Sequence, residues 1–190
     1  MNAMWAQVVS IILNPYVHPV YLFIVLCNRY RLNVSYSLPG ILFIAVMPLI
    51  YHILLHKKGR VDIDVSDRRV RPKILLVDAL FYAIAFVIYY LFLKVNVLYT
   101  ISLIYLIVLI TVTFVTLIDK VCLHVAGIIL PSMILYYMGF YDLTLFLILI
   151  SFMIAYARIK LKRHNIVQVI EGYIIPIIIV SFFFHYVPLP

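Results

Sequence analysis

The sequence predicts an all-α fold, a polytopic membrane helix bundle of six to seven transmembrane helices, built as a single integral membrane domain over residues 1–190. Three observations carry that expectation. Hydrophobic residues make up 67% of the chain and charged residues 12%, with a mean hydropathy of +1.16, which is not the composition of a water-soluble domain. The charges gather in a few short stretches and leave long apolar runs between them. Finally, 190 residues hold about six or seven helices of ~20 residues each, with short connections and no separate soluble domain.

The first apolar run covers 4–27. It lacks the basic leader and small-residue cleavage site of a signal peptide, so it reads as a retained helix, while Pro15 and Pro19 interrupt it and allow a re-entrant path. Further runs follow at 38–56, 74–93, 96–118, 124–140, 143–157 and 167–187. Each is apolar all round, the pattern of a segment surrounded by lipid and by other helices. The runs 124–140 and 143–157 are short for a full crossing, which implies tilt or partial interfacial placement. Cys27 and Cys122 form no CxxC pair and indicate neither a disulfide framework nor a zinc site.

If the last six runs all cross, pairs of crossings return the chain to one side at 57–73, 119–123 and 158–166. These loops hold Lys57, Lys58, Arg60, Arg68, Arg69, Arg71, Lys73, Lys120, Arg158, Lys160, Lys162 and Arg163, twelve of the fifteen Lys and Arg. Arg29, Arg31 and Lys94 lie opposite. The positive-inside rule alone accounts for such a bias, and sixteen tyrosines, many near run ends, suit the aromatic belts at the two interfaces. Histidines join the basic face at helix starts: His124 opens the fifth run and His164 precedes the seventh. His18, His52, His56 and His185 read as interfacial polar residues.

Asn165 is a good helix N-cap, and Gln168 three residues on completes a capping-box arrangement, so His164 stands just outside a helix N-terminus. Unpaired N–H groups and the helix dipole favour an anion there. Arg158, Lys160, Lys162 and Arg163 precede it, and guanidinium groups suit paired phosphate oxygens. Two histidines on an anion-binding face permit a division of labour, one attacking as neutral imidazole and the other donating a proton. Fixed Arg and Lys charges would stabilise the transferring phosphoryl group.

With these residues the chain resembles the type-2 phosphatidic acid phosphatase superfamily, membrane lipid phosphatases related in fold to vanadium haloperoxidases. That family carries K-x6-R-P, P-S-G-H and S-R-x5-H-x3-D on one membrane face. Here the third motif reads Ala157-Arg158, five residues, His164, three residues, Gln168, and the first ends in Arg71-Pro72. The second is represented by Val121-Cys122-Leu123-His124. The motif loops therefore fall at 57–73, 119–124 and 158–168, all on one face.

The resemblance implies a metal-independent hydrolase without cofactors. His164 would be the nucleophile that becomes phosphorylated, His124 the general acid, and Arg71 and Arg158 the phosphate ligands, with Arg68 and Lys120 adding charge. Cys122 takes the serine position with a poorer hydrogen-bond donor, and Leu123 takes the glycine position. Asp64 falls where the family has lysine, leaving Lys58, Arg68 or Lys73 to supply that charge. Gln168 replaces the aspartate that orients the nucleophile, so it can accept an imidazole N–H but gives no charge support; Asp119 or Glu171 could serve as a helper carboxylate. The implied substrate is a lipid phosphate or diphosphate ester in the bilayer, with a polyprenyl diphosphate of the dolichyl or undecaprenyl type as first choice. The implied partners are that lipid and the bilayer, with no nucleic acid, for a multi-pass protein of the cell membrane.

Two other functions are compatible with the sequence. Asp62, Asp64 and Asp67 in VDIDVSD could bridge magnesium to a diphosphate, as in membrane prenyltransferases, although those enzymes use a second aspartate-rich motif and none stands here. The same three residues also suit turn and cap chemistry. A lipid-binding subunit that keeps the fold without the chemistry is the remaining possibility.

Overall fold

The computed structural model describes residues 3–62, 65 and 67–187, and every regular element among them is helical. In chain order these are α1 (Ala3–Ile12), α2 (His18–Arg29), α3 (Val34–Lys57), α4 (Arg71–Leu93), α5 (Asn96–Thr116), α6 (Leu123–Tyr137), α7 (Tyr141–Lys160) and α8 (Ile166–Tyr186). Helices α3, α4, α5, α7 and α8 are long and apolar enough to cross a membrane. Their outward faces carry residues such as Leu80, Phe92, Phe114, Phe146 and Ile178, all exposed.

The first apolar run is not one helix. Asn14 precedes Pro15, a position that disfavours helical backbone, and its side-chain oxygen accepts from the Tyr16 N–H at 3.1 Å. The break leaves α1 with 10 residues and α2 with 12, both below a crossing length. Helix α6 is also short, 15 residues or about 22 Å. By contrast the run 143–157 belongs to a 20-residue helix, because α7 continues through Arg158 and Lys160. Cations are favoured in a last helical turn, so these charges end the apolar run without ending the helix.

Among the described residues the chain folds as two compact units, one of residues 3–18 with 119–187 and the other within 19–118. The second unit is organised around Tyr89. Its hydroxyl donates to the Tyr36 carbonyl at 2.8 Å and accepts from the Gly40 N–H at 2.8 Å. Phe23 stacks on the Tyr89 ring and fills the space a Gly40 side chain would need, since a Cβ there would meet the Phe23 ring at 2.5 Å. The Tyr89 contacts reach both irregular helices, where α3 passes through a π-helical stretch at Ile41–Val46 and α4 ends in one at Ile88–Leu93. Between α3 and α4, His52 Nε2 meets Asp78 Oδ2 at 2.9 Å. His52 thus makes a part-buried contact with an acid on the neighbouring helix, and an acid inside an apolar run was the signal for it. The Arg68 guanidinium donates to the Ile118 carbonyl, which ties the loop before α4 to the end of α5.

In the first unit α6 packs against both α7 and α8, and α1 packs on α7. Gly139, at φ +85°, turns the chain from α6 to α7, with the Phe140 N–H reaching the Leu135 carbonyl at 3.0 Å. Thr144 Oγ1 reaches the Ser132 carbonyl at 3.3 Å, and Ser151 Oγ meets the Tyr173 hydroxyl at 2.9 Å, linking α7 to each neighbour. Pro15 lies where a Gly127 side chain would stand, so the break after α1 seats directly on α6; a Cβ there would be 2.7 Å from the Pro15 Cβ. The turn between α6 and α7, the short connection from Lys160 to Ile166 and the bond from the Cys122 N–H to the Gln168 carbonyl place the start of α6, the end of α7 and the start of α8 at one end of this unit.

Candidate functional site

That end of the unit collects six of the sequence-predicted residues: Lys120, Cys122, His124, Arg158, His164 and Gln168. The spacing between Arg158 and His164 has a local cause. Helix α7 ends in a Schellman turn, with the Lys162 N–H on the Ile159 carbonyl at 2.9 Å and the Arg163 N–H on the Arg158 carbonyl at 3.1 Å. Lys162 takes the left-handed position, φ +53°, usually filled by glycine. Two residues later α8 begins with the expected capping box: Asn165 Oδ1 accepts from the Gln168 N–H at 2.9 Å, and Gln168 Oε1 accepts from the Asn165 N–H at 3.3 Å. Five residues between Arg158 and His164 are what one helix stop and one helix start occupy.

Helices α6 and α8 are locked together at their first turns. The Cys122 N–H donates to the Gln168 carbonyl at 3.0 Å, and a Cβ on Gly172 would stand 2.7 Å from the Cys122 carbonyl oxygen. Cys122 caps α6 through its backbone, and its side chain is buried and makes no capping bond.

Two groupings arise at this end. In the first, Ser10 Oγ of α1 accepts from Arg158 Nη1 at 2.7 Å and lies 3.3 Å from His124 Nε2. A guanidinium 1% exposed and an imidazole 34 positions earlier thus converge on one oxygen atom. In the second, His164 Nδ1 faces the Lys120 carbonyl at 3.2 Å and Gln168 Oε1 at 3.1 Å. Gln168 Nε2 in turn donates to Asp119 Oδ1 at 2.6 Å, and the Lys120 N–H donates to the same oxygen at 2.6 Å. Lys120 Nζ reaches the Arg163 carbonyl at 3.4 Å, which bridges the loops before α6 and α8. The second unit holds Arg68, described above, and Arg71, which opens α4 with its side chain 3% exposed.

Chemically the cluster joins a buried guanidinium, a lysine, two imidazoles and the N-termini of α6 and α8, a set suited to an anion. Among the described residues no three His, Cys, Asp or Glu side chains group so as to hold a metal ion. Asp64, the residue at the first-motif lysine position and the centre of the magnesium alternative, lies outside the described residues. Sequence reasoning missed Ser10 altogether. Nothing in a serine on an apolar helix 114 positions before His124 marks it, and only the packing of α1 on α7 brings it here. Comparison with protein-family models, curated proteins and solved structures finds no match for this chain.

Proposed function

We propose that this chain is a multi-pass protein of the cell membrane with six to seven transmembrane segments, and that it hydrolyses a phosphate or diphosphate ester of a lipid through a phosphohistidine intermediate. The observation that carries the reading is the convergence of Arg158 Nη1 and His124 Nε2 on the Ser10 hydroxyl, at 2.7 and 3.3 Å. A phosphate oxygen presented at that point meets a fixed positive charge and a proton donor together. The other histidine, His164, is held on Nδ1 by two oxygen acceptors, and its Nε2 is assigned the attack.

The chemistry runs in two displacements. The His164 Nε2 lone pair forms a bond to the terminal phosphorus while the P–O bond to the leaving oxygen breaks, an ester bond in a monophosphate and the anhydride bond in a diphosphate, and its electron pair leaves with that oxygen, which takes a proton from His124. Water then attacks phosphorus, His124 takes its proton, and the N–P pair returns to His164. Arg158 and Lys120 neutralise the phosphoryl oxygens in both steps. The phosphate-binding roles of Arg71 and Arg68 rest on the first motif alone.

The five long apolar helices with exposed Leu, Phe and Ile support a bilayer environment, and such a surface suits a substrate whose tail stays in lipid. A polyprenyl diphosphate is the substrate class proposed first, since the local basicity suits the greater charge of a diphosphate. The test is release of inorganic phosphate by purified protein in detergent micelles from polyprenyl diphosphate, polyprenyl phosphate and phosphatidic acid, with EDTA present. Release that survives EDTA and is lost in His164→Ala and His124→Ala supports the proposal. Release that requires magnesium, or none from any of the three lipids, overturns it.

A further inference from the structure

We propose that Asp119 is the positioning residue of this site, acting through Gln168 to hold His164 in the tautomer that carries its proton on Nδ1 and leaves Nε2 unprotonated. The inference deepens the proposed function and rests on it for its catalytic consequence, but its structural part stands on hydrogen-bond chemistry alone. A carboxylate can only accept, so the Gln168 group 2.6 Å from Asp119 Oδ1 must be the NH₂. A backbone N–H can only donate, so the Gln168 atom facing the Asn165 N–H at 3.3 Å must be the oxygen. Two neighbours of opposite character therefore fix an amide orientation that its own shape leaves open.

The consequence passes to the histidine. His164 Nδ1 lies 3.1 Å from that amide oxygen and 3.2 Å from the Lys120 carbonyl, and neither can donate to it. Nδ1 must carry the hydrogen, and in the neutral ring the lone pair then resides on Nε2. Asp119 is itself fixed, because the Lys120 N–H donates to the same carboxylate oxygen at 2.6 Å. Its backbone neighbour Lys120 supplies the second acceptor for the ring, so one short loop, Asp119-Lys120, sets both constraints on His164. Asp119 takes the helper role because it is the carboxylate that the Gln168 NH₂ reaches, at 2.6 Å. When Nε2 bonds to phosphorus the ring becomes cationic with its Nδ1 proton retained, and the carboxylate behind the amide faces that charge.

The test is ¹⁵N NMR of the full-length protein in detergent micelles, labelled at histidine, with the His164 resonances identified by their loss in His164→Gln. At a pH where the ring is neutral, wild type is expected to give a pyrrole-type Nδ1 shift and a pyridine-type Nε2 shift. Asp119→Ala removes one of the two constraints on the amide and is expected to move both nitrogens part of the way toward tautomer-averaged values, while Asp119→Glu restores the wild-type pattern. An Nε2-protonated ring in wild type, or an unchanged pattern in a folded Asp119→Ala, overturns the proposal. A second arm reads phosphate release: Asp119→Ala is expected to lower kcat roughly tenfold with little change in KM, and recovery in Asp119→Glu separates positioning from loss of fold. Should no lipid phosphate be hydrolysed at all, the NMR arm still decides the tautomer, so the two readings fail separately.

Discussion

Gly172 presses its bare α-carbon against the carbonyl of Cys122, so closely that a Cβ would meet that oxygen at 2.7 Å and the Val125 Cβ at 3.2 Å. The contact sets α8 beside the first turn of α6 and permits the 3.0 Å bond from the Cys122 N–H to the Gln168 carbonyl. Gly172→Ala must push the two backbones apart, because a carbonyl cannot swing away as a flexible side chain can. The expected cost is about 1–3 kcal/mol of stability, with phosphate release falling at least tenfold as His164 and His124 lose register. Thermal unfolding in detergent and a lipid-phosphate assay check the two effects together.

Ser10 is expected to matter for the site and not for the helix that bears it. Ser10→Ala leaves the buried Arg158 Nη1 without the acceptor it reaches at 2.7 Å, an effect of about 1–3 kcal/mol on stability. It also removes the oxygen that holds Arg158 and His124 to a common point, so kcat/KM is expected to drop about tenfold, a loss of ~1.4 kcal/mol in the transition state. Ser10→Thr keeps the hydroxyl and is expected to recover most of both losses. Full activity in Ser10→Ala would detach α1 from the function.

Lys162 holds a left-handed conformation, φ +53°, at the position where a Schellman turn favours glycine. Lys162→Gly is expected to stabilise the protein by about 1 kcal/mol, since an L side chain in that region costs about that much. Lys162→Arg keeps both the charge and the strain and is expected to leave stability unchanged. Chemical or thermal unfolding of the three proteins in parallel supplies the comparison.

The capping box of α8 offers a graded series. Asn165→Ala removes the acceptor for the Gln168 N–H, at 2.9 Å in the native chain, and is expected to cost about 1 kcal/mol. Asn165→Asp or Asn165→Ser keeps an acceptor there and is expected to cost little. Because Gln168 also faces His164, activity is expected to follow stability through the series rather than exceed it.

Much of this arrangement was legible in the sequence where local chemistry decides the outcome. The Asn165 cap with Gln168 and the placement of His124 at a helix start follow from neighbours a few residues apart, whereas the helix expected to stop at 157 runs on through Lys160. The five long helices follow from hydropathy and length. What the sequence withheld depends on non-local packing. The first apolar run looks like one span because hydropathy sums over the Asn14-Pro15 break, yet α1 ends there and its Ser10 reaches Arg158. The choice between Asp119 and Glu171 as helper carboxylate needed the orientation of one amide, a matter of two distances and not of spacing. Asp78 was visible as an acid within an apolar run, but its partner His52 became evident only when α3 and α4 packed together.

The most direct test of the central proposal is to trap the intermediate. Protein mixed with a ³²P-labelled polyprenyl diphosphate or phosphatidic acid, quenched within milliseconds and digested, is expected to carry label that is stable to base, labile to acid and confined to the peptide containing His164. Label on any other residue, or an enzyme that releases phosphate at full rate after His164→Ala, would contradict a phosphohistidine at that position.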